Sequence, residues 1–254
     1  RLLSKNLKDN KKKYPNTIAI LNYDHVSHDI IVDGGYEHKY MTVIAQWLQS
    51  RKLKNYLFID IGANLGNHSI FFSKYFKNTI AFEPHKKIYK LLKFNTEDIT
   101  NIQIFNFGLS DKNKKSLLYT VKSNFGGSTQ ITNKKAETHL ASFRKLDSLK
   151  LKKGADLIKI DVEGHEYNVL KGASNYLKKH SPIILFESGS DCYKNGTTAV
   201  IEILKKFNYK KFYSIENFKT KPSLVAKFLY LFSYLFFARK KYIVPLDLIE
   251  GKEY

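Results

Sequence analysis

Residues 58–72 read FIDIGANLGNHSIFF: an apolar run, an acid, two glycines four apart, then an amphipathic segment. The spacing predicts a short buried strand ending in Asp60, a turn through Gly62 and Gly66, and entry into a helix. A Walker-type phosphate loop carries lysine and a hydroxyl residue after its last glycine. Here Gly66 is followed by Asn67 and His68, so that reading fails. A dinucleotide loop reads G-x-G-x-x-G and brings its backbone against a pyrophosphate. This one offers GANLG, with Asp60 placed where it would repel a pyrophosphate. A carboxylate there suits a ligand bearing positive charge. S-adenosylmethionine (SAM), with an α-ammonium, a sulfonium and no phosphate, is such a ligand. A strand-to-helix turn of no special function is the plain alternative.

Outward from this stretch, strand and helix signals alternate. KYMTVIAQWLQSRKL (39–53) and NHSIFFSKYF (67–76) read as helices on either side of the first strand. TIAFEP (79–84) reads as strand, HKKIYKLLKFNTEDI (85–99) as helix and IQIFNFGLS (102–110) as strand. Residues 116–145 break the pattern with β-like pieces around NFGGS (124–128), an irregular insertion or hairpin. Alternation resumes with DLIKIDVEG (156–164), HEYNVLKGASNYLKKH (165–180), PIILFESG (182–189), TTAVIEILKKF (197–207) and KKFYSIEN (210–217), and YIVPLD (242–247) offers a last strand. Such alternation predicts a doubly wound α/β sheet, which binds ligands beyond the carboxyl ends of its strands. Asp60, Glu83, Gly108, Asp161 and Glu187 all fall at or just past predicted strand ends. Four acids on one rim make a site hypothesis. Glu83 is placed to accept both hydroxyls of a ribose, a feature that SAM and NAD sites share.

FIDIGANLGNHS, AFEPHKKIYKLLKFN, FNFGLSD, KLDSL, LIKIDVEGHEYNVLKGA and PIILFE stand in that order. Together they resemble the FkbM family of SAM-dependent methyltransferases over about residues 55–190. The resemblance implies an α/β class I SAM-dependent methyltransferase (Rossmann-like) fold, with a seven-stranded, mostly parallel sheet and helices on both faces. It also implies O-methylation, with SAM as donor and S-adenosylhomocysteine as product. The chain then divides into an N-terminal helical or extended segment for substrate or oligomer contacts (1–50), a SAM-binding catalytic domain (51–215) and a C-terminal strand–helix–strand completion with an apolar basic helix (216–254), the two ends matching the family only loosely.

By this likeness Asp60, Gly62, Asn64 and Gly66 form the first SAM loop, with Glu83 on the ribose. Gly108 and Asp111 would stand beside the adenine, Asp111 accepting from its exocyclic amine or serving only as a turn residue. The second acidic cluster supplies the chemistry. Asp161 would bind the acceptor, orient a histidine or act as base, and Glu187 has the same placement one strand later. His165, with an ordinary pKa near 6.5, is a candidate general base. Glu163, Asn124, Gly126 and Gly127 are candidate acceptor contacts, with NFGGS as a flexible lid or an ordinary turn. The plain reading of Glu163 and Glu166 is that they complement a helix dipole. Lys159 shares the strand face of Asp161, without an assigned role. Asp161 and Glu187 offer oxygen ligands for a divalent metal, but no spacing demands one and none is expected.

The chain has 254 residues, 43% of them apolar, with Cys192 the single cysteine. This excludes global disorder, a disulfide framework and a cysteine-built zinc site. Net charge is +20, yet only Arg1, Arg51, Arg144 and Arg239 among 43 basic residues are arginine. A surface that grips phosphates favours arginine's bidentate fork, and A/T-rich codons would supply lysine together with the abundant Asn, Ile, Phe and Tyr. The charge is therefore weak evidence for RNA, and DNA is not expected as a partner. KTKPSLVAKFLYLFSYLFFARKK (219–241) is too short to span a membrane. Its 223–241 part suits an interfacial helix at the inner membrane, or a buried or homo-oligomer interface. The expectation is a cytoplasmic enzyme, with peripheral contact at the inner membrane as one reading of 223–241, that O-methylates a sugar hydroxyl of a surface glycan or its sugar-nucleotide precursor. RNA ribose methylation and natural-product O-methylation are the alternatives.

Overall fold

The computed structural model describes residues 18–22, 25–33, 35–121, 124–129, 137–187, 197–217 and 241–245. Two helices, α1 (His25–Asp33) and α2 (His38–Gln49), lead into strand β1 (Leu57–Ile61). After it come α3 (Asn67–Phe72), β2 (Asn78–Phe82), α4 (Lys86–Thr96), β3 (Ile102–Phe105) and the two-residue β4 (Gly108–Leu109). Strands β5 (Lys114–Val121), β6 (Asn124–Thr129) and β7 (Glu137–Arg144) follow, then a 3-10 turn (Leu146–Leu149) and β8 (Leu157–Ile160). Helices α5 (Glu166–Gly172) and α6 (Ser174–His180), β9 (Ile183–Phe186), α7 (Ala199–Lys206), β10 (Tyr213–Asn217) and β11 (Lys241–Pro245) complete the described chain.

Five strands pair in parallel in the order β3-β2-β1-β8-β9. The fold is the Rossmann-like class I methyltransferase fold, with β10 and β11 forming a separate antiparallel pair. Strand β1 lies at the centre with all five residues buried, as a strand covered on both faces must be. Leu57, Ile59 and Ile61 point into a cluster with Ile158, Ile160, Val169, Leu170 and Leu204, under α5 and α7. Phe58 points the other way, among Met41, Ile44, Leu48, Phe72 and Leu157, under α2 and α3. Strand alternation puts Asp60 on this second face with Phe58, and Lys159 with Leu157. Truncating Phe58 to alanine would cost about 3–5 kcal/mol at so closed a position.

Two predicted elements are broken. The strand expected over 102–110 ends at Phe105, and Gly108–Leu109 leaves the parallel sheet to pair with β7. Asn106 makes the bend by donating its side-chain amide to Glu83 O at 2.9 Å. Gly108 permits the transfer, because a Cβ there would lie 2.5 Å from the Phe143 ring. The helix expected over 165–180 is two helices with Ala173 between them. Gly172 packs so tightly that a Cβ would stand 1.9 Å from Ser110 O.

A second sheet, β4-β7-β5-β6, occupies the stretch read as an irregular insertion. Its outer strand β6 contains Asn124, Gly126 and Gly127, so the lid or turn expected of NFGGS is instead a strand whose backbone pairs antiparallel with β5. No helix among the described residues is long and apolar enough to cross a membrane. The apolar segment 223–241 lies, apart from Lys241 at the start of β11, outside the described residues.

Candidate active site

The order of the parallel strands reverses at β1, which has β2 on one side and β8 on the other. A cleft opens beyond the carboxyl ends of these strands, where such sheets bind ligands. Gly62, Asn64, Glu83, Gly108, Asp161, Glu163, His165 and Glu187 all line it. The sequence separates these residues widely, and the sheet gathers them.

The first loop is built by backbone. Gly62 (φ +81°) and Asn64 (φ +50°) adopt left-handed conformations, and Gly66 (φ +92°) caps α3. A Cβ at Gly62 would stand 1.9 Å from Asp161 O, so only glycine fits. Both N–H groups at Gly62 and Ala63 donate to Phe82 O at 3.0 Å, which ties the loop to the end of β2. Glu83 completes that tie: its Oε2 accepts Asn64 N–H at 3.0 Å and its Oε1 accepts His85 N–H at 2.7 Å. Burial of this carboxyl outweighs the two hydrogen bonds and pushes its pKa up to about 7.

Asp60 behaves differently from the sequence-based reading. It is fully buried beneath the loop and is not part of the cleft wall. Its Oδ2 accepts the Ser69 hydroxyl at 2.6 Å. Its Oδ1 has no hydrogen-bond partner among the described residues but stands 3.5 Å from Lys159 Nζ, within ion-pair reach. The cation beside Asp60 is thus a lysine of the protein itself. Gly66 braces the turn against Leu92 rather than facing the cleft. Asp111 turns to Lys171, 3.7 Å away, and accepts the Ser110 hydroxyl at 3.2 Å.

Lys159 Nζ also lies 3.1 Å from Asp161 Oδ2 and 3.3 Å from Gly62 O. Burial by itself opposes the ammonium, yet Asp161 and Asp60 outweigh it and hold the lysine above its ordinary range. Past β8 the chain turns through Glu163 (φ +52°) and Gly164 (φ +88°). Glu166 Oε1 caps that turn by accepting Val162 N–H and Gly164 N–H, each at 3.2 Å, so its role is local. Glu163 stays on the cleft wall.

His165 is held at both ring nitrogens. Asn168 Nδ2 donates to its Nδ1 at 3.1 Å, which leaves Nε2–H to donate to Ser110 Oγ at 2.9 Å. Burial, then the nearby Lys114, lowers its pKa below the usual histidine value. The imidazole bridges α5 and the end of β4. Glu187 stands at the open side of the cleft, where partial desolvation, then Asp161 and Glu37, raise its pKa above the usual carboxylate value.

Sequence reasoning singled out no residue in the segment before α2. Tyr36 lines the cleft, and its carbonyl accepts Asn67 Nδ2 at 2.8 Å. Burial, then Glu37, Asp161 and Glu187, hold its phenol above the ordinary tyrosine range. Glu37, left-handed at φ +55°, receives His68 Nε2 at 3.1 Å. The polar-aromatic run YEH at 36–38 was the available signal, but nothing in its spacing announced a ligand.

The cleft fits SAM on its own features. Asn64 Oδ1 is buried there without a hydrogen-bond partner among the described residues. Glu83, beside the glycine loop on the cleft wall, keeps lone pairs for a diol. Leu109, Leu118 and Phe143 supply an apolar wall for a flat ring. Among the described residues, no group of His, Cys, Asp and Glu is arranged to hold a metal ion.

The FkbM methyltransferase domain matches residues 60–211, from the acid under the first loop to the chain after α7. The hexuronic acid methyltransferase AglP of Haloferax volcanii is 27% identical over 129 residues, covering 50% of this chain and 53% of that protein. The chain thus spans about half the length of that relative. Among solved structures, an FkbM methyltransferase from Methylobacillus flagellatus KT is 14% identical with a TM-score of 0.42, covering 85% of this chain and 56% of that one. A putative caffeoyl-CoA O-methyltransferase from Staphylococcus aureus is 12% identical with a TM-score of 0.43, covering 86% and 96% respectively. With the family domain matched over more than half its residues, the chain belongs to the FkbM methyltransferase family.

Proposed function

We propose that the protein is a SAM-dependent O-methyltransferase acting on a sugar hydroxyl, in a surface glycan or its precursor. The observation that carries this reading is the pairing of Glu83 and Asp161 across one cleft. The first stands at the diol end beside the glycine loop, the second on the acceptor side beyond β8. The hexuronic acid activity in the name of the Haloferax volcanii relative supports a sugar acceptor.

When bound, SAM supplies an electrophilic methyl group on a sulfonium. The protein's task is then to hold a hydroxyl in line with it and take away the proton. Gly62, Asn64, Glu83 and Gly108 would hold the cofactor. Asp161 is the group placed to accept the hydroxyl proton, because the Lys159 contact fixes its carboxylate at the cleft wall. Glu187, Glu163 and Tyr36 would bind neighbouring hydroxyls. His165, the other candidate base, has both ring nitrogens engaged and serves better as a strut.

Net charge favours an RNA acceptor, but the lining does not. Among the described residues Lys159 is the single lysine or arginine on the cleft wall, and it is already paired. Asp161, Glu163 and Glu187 would repel a phosphodiester backbone. The deciding assay supplies tritium-labelled SAM to glycan precursors and to total RNA. Label in the glycan fraction is expected; label in RNA alone would overturn the reading.

A further inference from the structure

Lys159 is 5% exposed and stands in register with Asp60 across the β1–β8 ladder. A lysine in the middle of a buried parallel sheet is costly unless it is paired. An apolar residue of the same length would fill the volume without that cost, so stability alone does not account for a charge here. What the ammonium does touch is informative. Asp60 lies under the cofactor loop, Gly62 O belongs to the loop, and Asp161 lies on the acceptor side. Asp161 also meets the loop through its backbone: its N–H donates to Ile61 O at 3.1 Å, and its carbonyl fills the space beside Gly62.

The groups facing this ammonium come from every neighbouring element. Asp60 and Asp161 are in contact, and Glu37 at the start of α2, Glu83 past β2 and Glu187 past β9 stand around them with Tyr36. Apart from Tyr36, which keeps its phenol proton, these are carboxylates; Glu37 also meets His68, and among the described residues Lys159 is the one lysine or arginine on the cleft wall.

We propose that Lys159 is the positioning residue of this site, a shared counter-ion that locks the cofactor loop and the acceptor carboxylate Asp161 into one unit. The proposal rests on the methyl-transfer reading of the cleft for the meaning of the two halves. The lysine touches neither ligand and acts through Asp161 and Gly62. Its removal would leave the carboxylates of Asp60 and Asp161 together without compensation. That penalty exists only while both are ionised: it is full at high pH and fades as one takes up a proton.

The test uses the full chain, with S-adenosylhomocysteine and SAM as probes. Calorimetric affinities between pH 5.5 and 8.5, and urea unfolding midpoints of the unliganded protein, are compared for wild type, Lys159→Met and Lys159→Met/Asp161→Asn. Lys159→Met is expected to bind S-adenosylhomocysteine about tenfold or more weakly at pH 8, because the loop loses its tie to Asp161. The deficit should shrink toward pH 5.5, and the double variant should recover most of it at pH 8. If Lys159→Met alone fails to fold at pH 8 and the double variant folds, the counter-ion role stands. Wild-type affinity in Lys159→Met would overturn the proposal. So would a loss that is equal at both pH values and unrepaired by Asp161→Asn. If wild type binds neither probe, the methyl-transfer reading fails, and the unliganded unfolding midpoints still decide the counter-ion role by the same pattern.

Discussion

The carboxylate of Glu83 accepts the backbone N–H of Asn64 at 3.0 Å, so the end of the second strand holds the tip of the glycine loop. One acid therefore shapes the loop and, in the proposed function, would offer its remaining lone pairs to the ribose diol. Its pKa is pushed up to about 7 by burial, against an ordinary value of 4.5. Between these values the folded protein keeps a proton that the unfolded chain has released. Stability from this group is therefore greatest below pH 4.5 and is lost as pH rises to about 7, by about 3 kcal/mol. Urea unfolding across that window should show the decline in wild type, and Glu83→Gln should flatten it.

Cofactor affinity should run the opposite way. Two ribose hydroxyls donate best to an ionised carboxylate. Only about a tenth of Glu83 is ionised one pH unit below its pKa, so SAM should bind about tenfold more tightly at pH 8 than at pH 6. Calorimetry in two buffers of different ionisation heat would detect the released proton near pH 7. A pH-independent affinity with no proton release would remove Glu83 from the ribose.

Gly62→Ala is expected to be severe. The added Cβ would meet Asp161 O at 1.9 Å in a left-handed backbone. A destabilisation of at least about 2 kcal/mol should follow, with loss of SAM binding. The urea midpoint reads the first and calorimetry the second. An alanine variant of wild-type stability would mean that the loop does not press on Asp161 as described.

Much of this was legible in the sequence, for definite reasons. The central strand is apolar at Leu57, Phe58, Ile59 and Ile61 because it is buried on both faces, so β1, its lone acid Asp60 and the loop after it stood out. Glu83, Asp161 and Glu187 were legible because an acid ending an apolar strand has few structural uses. The break at Asn106 was not, since it depends on one amide reaching Glu83 O across the sheet. Asp60 was misread in its partner: a carboxylate at that position suggests a cationic ligand, whereas the fold brings up Lys159 from a strand 99 residues later. The cleft contribution of Tyr36, and the Glu37 contact to His68, depend on how the N-terminal segment folds over α3, which no local pattern encodes.

His165 ties Ser110 to Asn168, so its loss should loosen the wall proposed to face the adenine rather than halt chemistry alone. His165→Ala is expected to weaken SAM binding and lower the unfolding midpoint together. A variant with unchanged SAM affinity, but turnover reduced by about 10²–10⁴-fold, would instead make the imidazole the base.

Asp161→Asn should show the contrasting pattern. Once an acceptor is in hand, turnover should fall by roughly 10²–10⁴-fold, with SAM affinity much less affected. Turnover close to wild type would take proton removal away from Asp161.

The central claim is that the cleft beyond β1 and β8 is a SAM site. The most direct measurement is calorimetry of SAM, S-adenosylhomocysteine and NAD with the purified protein at pH 8, repeated with Glu83→Gln. Micromolar binding of the first two, weakened about tenfold or more by the substitution and lacking for NAD, is the expected result. Binding of NAD in preference to SAM, or SAM binding indifferent to Glu83, would contradict it.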